Sequence, residues 1–367
     1  MRLLRVSEIH LAPTRCHVCW FVKRALLPSP IVVGDSRVPS QLHDSPISGR
    51  AADPFSIVLG HVRSGTTMLR AMLDSHPELA VPPESYAVVP LLRRMDSTVD
   101  FDGFVSAFEQ DKYFQDWQLP TDAIEVLRTD PRVRTPADAI AGLYSAYALA
   151  HGKSRYADKT PSHLQAVDLL AERFPNARFL HIVRDGRDVA ASVLTMDFGA
   201  REFAQAARGW GGHVLKAHES GVRLGPERYH EVHYEQLVAQ PEEVLREVCQ
   251  FFGLEYAPSM LEYHERADEL LDGLRHTGHI QGIRRPPTVG IRNWRLDLTP
   301  HQIAVFDEVA GPALDALGYD RSGLRRSWRA RVEATVLEFK VQARRTRRVY
   351  LPRLTRKLMT SYRRVRP

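Results

Sequence analysis

The segment Gly60-His61-Val62-Arg63-Ser64-Gly65-Thr66-Thr67 has the composition of an anion cradle. Gly60 and Gly65 allow a sharp turn and close backbone approach, so that successive N–H groups can converge on one ligand. A helix starting just after it adds about half a positive charge at its N-terminus. Thr66 and Thr67 offer hydroxyl donors, and Ser64 and Gly65 complete the RSGTT run. The spacing is that of a GxxxxGK[ST] phosphate loop, but Thr66 stands where the lysine belongs. The loop's cation is Arg63, before the second glycine. A nucleoside triphosphatase that relies on that lysine is therefore disfavoured. A loop holding a single 5′-phosphate, with Arg63 forked onto the group beyond it, fits better. An ordinary strand–turn–helix junction is the plainer alternative.

Three further positions could share chemistry with that loop. Val183-Arg184-Asp185-Gly186-Arg187-Asp188 leaves an apolar run, and Ser192 follows two helical turns later. Arg184 can fork onto a phosphate; its alternative is an ion pair with Asp185 or Asp188, and Arg187 reads as structural or surface. Glu84 lies in the proline-stiffened Pro82-Pro83-Glu84-Ser85, where burial would make a carboxylate a better base. Lys159, in Asp158-Lys159-Thr160-Pro161, could neutralise charge on a leaving oxygen. Taken alone, a solvated loop glutamate and a surface lysine are the plainer readings.

The elements that must hold these groups alternate. Phe55 to Leu59, Arg155 to Lys159, Arg178 to Val183 and Tyr229 to Tyr234 read as strands. Helices are predicted over Thr66 to Ser75, Ser162 to Phe174, Asp185 to Leu194, Pro241 to Phe252 and Pro300 to Leu317, the last capped by Thr299. Ser97 to Ala150 looks helical, with Phe101, Phe104, Val105 and Phe108 on one face. Such alternation means an α/β fold with a parallel sheet covered on both faces, and ligands then sit at the carboxyl ends of the strands.

GHVRSGTTMLRAMLDSHP resembles the 5′-phosphosulfate loop of sulfotransferases that use 3′-phosphoadenosine 5′-phosphosulfate (PAPS), most of all the tyrosylprotein sulfotransferases and their bacterial relatives. The likeness continues in RYADKTPSHL, FPNARFLHIVRDGRDVAASV, VHYEQLVAQPEEVLREVCQFFGL and PALDALGYD, in order, from about Pro54 to Asp320. It implies a P-loop NTPase-like three-layer sandwich with a central parallel sheet. It implies PAPS as cosubstrate, leaving as adenosine 3′,5′-bisphosphate, with no metal required. By the same resemblance Glu84 is the base and Lys159 and Arg63 are catalytic cations. Arg63, Ser64, Gly65, Thr66 and Thr67 bind the 5′ side, Arg184 and Ser192 the 3′-phosphate, and Tyr234 the nucleotide. The loop from Thr277 to Trp294 is expected to close over the nucleotide, with Arg292 and Trp294 as its contributions. Pro83 replaces the first of two family glutamates, and Met196 a family arginine. The acceptor is a hydroxyl, with phenol, sugar, lipid and peptide tyrosine all open. A small-molecule kinase with an atypical phosphate loop and a non-catalytic nucleotide-binding relative are the rival readings.

The chain has 367 residues with 44% hydrophobic and 26% charged, which excludes a disordered chain. Three cysteines exclude a disulfide scaffold, and Cys16-His17-Val18-Cys19 lacks the second ligand pair of a zinc site. The net charge of +6 is unevenly placed. Residues 321–367 hold 16 Lys/Arg against Glu333 and Glu338, whereas 1–320 hold 34 basic and 42 acidic groups. Three regions are expected: an irregular arm at 1–53, a catalytic domain at 54–320 with a helical acceptor-side insert at about 90–150, and a basic helical tail at 321–367. Val332, Val336, Phe339 and Ala343 recur at helical spacing in that tail. It suits weak contact with an anionic membrane or an acidic partner; nucleic acid is disfavoured because no reader motif accompanies the charge. With no apolar run long enough to cross a bilayer and no clear signal peptide, a cytoplasmic, peripherally membrane-associated protein is expected.

Overall fold

Ser56–Gly60 (β1) is fully buried along its length, as an apolar run at the centre of a parallel sheet must be. The computed structural model describes residues 53–95, 98–120, 122–196, 199–271, 281–325, 327–344 and 346. The Cys16–Cys19 pair and nearly all of the expected arm lie outside these residues, as do 277–280 of the expected closing loop. The sheet has five strands in the order β2-β3-β1-β4-β5, with β2 at Leu79–Ala80, β3 at Arg155–Lys159, β4 at Arg178–Val183 and β5 at Tyr229–His233. All four pairings are parallel.

Alternation of side chains sends Val58, Leu180, Ile182 and Val232 to one face. There they meet Leu69, Met72 and Leu73 of the Thr66–Asp74 helix and Leu245, Val248 and Phe252 of the Pro241–Phe252 helix. The other face carries Phe55, whose ring contacts Tyr144, Tyr156 and Phe174. It also carries His181, which meets the Tyr229 hydroxyl at 2.6 Å and sits in the core as a satisfied histidine at Nδ1. The result is the expected three-layer sandwich.

The insert between β2 and β3 is helical but broken, into Val88–Arg94, Phe101–Glu109, Ala123–Thr129 and Pro136–Ala150, with a 3₁₀ turn at Phe114–Trp117. The last of these opens with a capping box between Thr135 and Asp138. The span 162–174 divides into a 3₁₀ turn, Pro161–Gln165, and a helix, Val167–Arg173. Elements additional to the sequence reading include the two-residue β2, the helix Val88–Arg94 and the 22-residue helix Phe203–Leu224. A helix occupies residues 328–344 of the tail. Its docked side is Ala330, Leu337 and Val341, packed on Ala204, Ala304, Val305 and Val309, and not the stripe the periodicity picked out. No helix among the described residues is long and apolar enough to cross a membrane.

Candidate active site

β1 and β4 are neighbours, with Gly60 in register with Ile182. Their carboxyl ends therefore open side by side, at the point where the strand order turns outward in both directions from β1. The Gly60–Thr67 loop leaves β1 there, and Arg184 leaves β4. Lys159 ends β3 on one side, and Tyr234 follows β5 on the other. Glu84 follows β2 at the sheet edge. The five groups thus lie along one edge in strand order, over roughly 19 Å at the usual strand spacing.

Gly65 has φ 88, and a Cβ there would meet Tyr234 Cδ2 at 2.4 Å, so both conformation and space require glycine. Arg63 holds φ 69, a left-handed conformation that is uncommon outside glycine and found at ligand-binding turns. It turns the guanidinium toward the helix Gly186–Val193, where Nε donates to Ser192 Oγ at 2.9 Å. Arg184 lies 4.3 Å over the Tyr234 ring. Its Nη1 donates to the Arg63 carbonyl at 3.4 Å, and its Nη2 is 3.7 Å from Asp188. Its buried Nε has no hydrogen-bond partner among the described residues. Burial, then the charges of Arg292 and Arg184, pull the Arg63 guanidinium below its usual range. Arg184 and Arg292 thus lie within electrostatic reach of Arg63, which itself binds Ser192, and this concentration of positive charge suits a multiply charged anion. Ser64 and Thr66 are buried in the loop, and Thr67 is half-buried at the helix start.

Neighbouring groups brace this cluster. Arg187 is 2% exposed, pairs with Asp185 through two nitrogens at 2.9 and 2.7 Å, and lies 3.8 Å over the Trp294 ring. The Trp294 N–H donates to Asp188 at 2.7 Å. Trp294 thus ties the segment carrying Arg292 to the helix carrying Ser192, and Arg187 is structural, as expected.

Glu84 and Lys159 form an ion pair, Lys159 being only 3% exposed. The Tyr86 hydroxyl donates to the second Glu84 oxygen at 2.8 Å, and its ring stacks on Tyr113 at 5.4 Å. Burial, then the Glu84 charge, pushes the Tyr86 hydroxyl above its usual range. A cleft of about 450 Å³ opens beside them, walled by Tyr86, Ala87, Pro90 and Leu91 and edged by Arg94 and Lys112.

Sequence reasoning missed the residues that fix the Glu84 turn. Arg70 Nε donates to the carbonyls of Val81 and Pro82 at 3.0 and 3.1 Å, and Asp74 accepts from the Val81 N–H at 2.7 Å. Both side chains belong to the Thr66–Asp74 helix and both are buried, so two charges on the inner face of an otherwise apolar helix were the available signal. On the other side Thr160 Oγ1 accepts from the Ser85 N–H at 2.9 Å and donates to Asp158 at 3.0 Å. Asp158 also accepts from Tyr144 at 2.5 Å and meets His163 Nδ1 at 2.6 Å. Burial raises the Asp158 carboxyl, but His163, Tyr144 and Thr160 together bring it below its usual range. Among the described residues no group of His, Cys, Asp and Glu is arranged to hold a metal ion.

Comparison with known proteins bears on the same segments. Residues 54–258 match the profile of a family described as the sulfotransferase family. The chain is 27% identical over 277 residues to protein-tyrosine sulfotransferase A of Caenorhabditis elegans, covering 73% of this chain and 67% of that one. It is 28% identical over 219 residues to the protein-tyrosine sulfotransferase of Drosophila melanogaster, covering 58% of this chain and 40% of the fly protein's length. Among solved structures, the sulfotransferase domain of the Synechococcus PCC 7002 olefin synthase is similar in fold. Its TM-score is 0.55 at 22% identity, over 75% of this chain and 98% of that one.

Proposed function

The chain belongs to the sulfotransferase family, and from that premise we propose that it moves the sulfuryl group of PAPS to a hydroxyl acceptor. The observation that carries this is the contact of Arg63 with both Ser192 and Arg184 beside the glycine loop, with Arg292 adding its charge. ATP lacks a 3′-phosphate, and Arg184 and Ser192, on the segment after β4, add to the loop the cation and hydroxyl that such a phosphate calls for. The residues present fit PAPS. The loop N–H groups with Ser64, Gly65, Thr66 and Thr67 would take the 5′ side, and Arg184 and Ser192 the 3′-phosphate. The Tyr234 ring and Arg292 would flank the nucleotide. PAPS supplies an activated sulfuryl group whose bond to the 5′-phosphate oxygen breaks as the bond to the acceptor oxygen forms, releasing adenosine 3′,5′-bisphosphate.

Glu84 takes the acceptor proton in this reading. Lys159 and Arg63 stabilise charge on the departing oxygen, the task that magnesium performs in kinases. Arg70, Asp74 and Thr160 hold the Glu84 turn in place, so that much of the rate comes from positioning. The names of the nematode and fly relatives make a tyrosine hydroxyl the first acceptor to try, with the cleft beside Tyr86 as its site. The kinase reading is disfavoured by Thr66 in place of lysine.

Purified protein with labelled PAPS, tyrosine peptides, simple phenols and sugars tests the reading, alongside calorimetry with adenosine 3′,5′-bisphosphate and with ATP·Mg. Transfer to a hydroxyl and tighter binding of the bisphosphate are expected. Tighter binding of ATP·Mg would overturn the assignment, and bisphosphate binding without transfer to any hydroxyl would leave a non-catalytic relative.

A further inference from the structure

The helix over 328–344 carries an outward apolar ridge. Trp328, Val332, Val336 and Phe339 follow one another at spacings of four, four and three, which places them on one stripe. They are 70%, 52%, 45% and 77% exposed. The helix cannot roll to hide them, because Ala330, Leu337 and Val341 on its far side are packed against the helices Phe203–Leu224 and Pro300–Ala316.

The charge around the ridge has one sign. The two acids of the helix turn back to the body, Glu333 to His301 at 2.9 Å and Glu338 to Arg208 at 2.6 Å. Arg329, Lys340 and Arg344 are exposed along the same helix. In sequence, residues 345–367 add nine Lys/Arg and no acid. A second copy of so basic a surface would be repelled, and a nucleic-acid duplex, whose bases are already paired and stacked inward, would leave the Trp and Phe side chains without a partner. An anionic bilayer satisfies both features at once: Trp and Phe enter the headgroup boundary, and the flanking guanidinium and ammonium groups meet lipid phosphates.

We propose that the Trp328–Phe339 ridge is a docking surface for an anionic membrane, which holds the catalytic body at the lipid surface. This docking role is independent of the catalytic reading.

The full chain is sedimented with phosphatidylcholine vesicles, with and without about 30 mol% phosphatidylglycerol, at about 0.1 M salt. Binding to the anionic vesicles should be at least about tenfold tighter than to the neutral ones and should weaken as salt rises. The double variant Trp328→Ser/Phe339→Ser should lose about tenfold in vesicle affinity. Its unfolding midpoint should be unchanged, since both side chains are exposed. Absence of binding to anionic vesicles overturns the proposal. So does equal binding by the double variant, which would assign the contact to charge alone. Loss of self-association or of duplex DNA binding in the double variant, without loss of vesicle binding, would reassign the ridge to that partner.

Discussion

Arg63 and Ser192 stand 129 positions apart, yet Nε of the first donates to Oγ of the second at 2.9 Å. The bond joins the loop after β1 to the helix after β4, so the two regions proposed to bind phosphate are built as one surface.

If that surface grips a 3′-phosphate, its members should weaken nucleotide binding in order of charge. Hydrogen bonds to charged groups contribute about 1.5–3 kcal/mol, so Arg184→Ala should weaken adenosine 3′,5′-bisphosphate binding by about 100-fold and Ser192→Ala by about tenfold. Calorimetry reads both. An unchanged affinity in Arg184→Ala would remove this residue from the nucleotide site.

Glu84→Gln keeps the shape of the side chain and removes the proposed base. Turnover should fall by about 10²–10⁴, with bisphosphate affinity held within about twofold. Tyr86→Phe keeps the stack on Tyr113 and deletes the donor to Glu84, so a smaller loss of about 3–10-fold is expected. Full turnover by Glu84→Gln would place the base elsewhere.

The buried Asp158 holds three donors around one carboxylate. Asp158→Ala leaves Tyr144, Thr160 and His163 facing an apolar gap, and should cost about 3–5 kcal/mol in urea unfolding. Loss of Thr160's partner should also loosen the Ser85 contact, so turnover should fall even where the protein remains folded. A change within experimental scatter of the parent would show that the network is not a stability element.

Burial is the main reason that the His61 imidazole titrates at about 4, well below its ordinary 6.5, with the His213 charge adding to the effect. Its neighbour His213, stacked at 5.7 Å, is lowered as well. A lowered histidine is protonated first in the unfolded chain. Stability from this group is therefore complete above about pH 6.5, declines as the pH falls, and is gone below about pH 4. Melting temperatures across that window should fall for the parent and fall less for His61→Leu. Parallel profiles for the two proteins would mean that His61 is not the group responsible.

Much of the fold was legible because buried strands are nearly pure apolar runs. β3 and β4 begin and end where the sequence places them, and the glycine loop, Arg184 and Tyr234 follow from strand ends. β2 was not legible, since two residues carry no period. The helix Phe203–Leu224 was missed because its inner face is built from small residues such as Ala204, Ala207, Gly211 and Ala217. At Gly211 an added Cβ would come within 3.0 Å of Ala310, so close packing of two helices replaces the usual large side chains. In the tail the strongest apolar stripe faces outward, because alanine and a single leucine suffice for docking. Tyr86 has no pattern at all. Only the fold brings its hydroxyl to Glu84, and only burial of Lys159 distinguishes that lysine from a surface one.

The helix Thr66–Asp74 begins at the glycine loop and, through Arg70 and Asp74, clamps the backbone ahead of Glu84. The proposed donor loop and the proposed base are thereby bolted to one rigid rod, while, Tyr86 apart, the walls of the neighbouring cleft come from the helices Val88–Arg94 and Phe101–Glu109 and their flanks, inserted between β2 and β3. Altering those walls should retune which alcohol is accepted without disturbing the reactive machinery, which makes the insert the natural place to redesign selectivity.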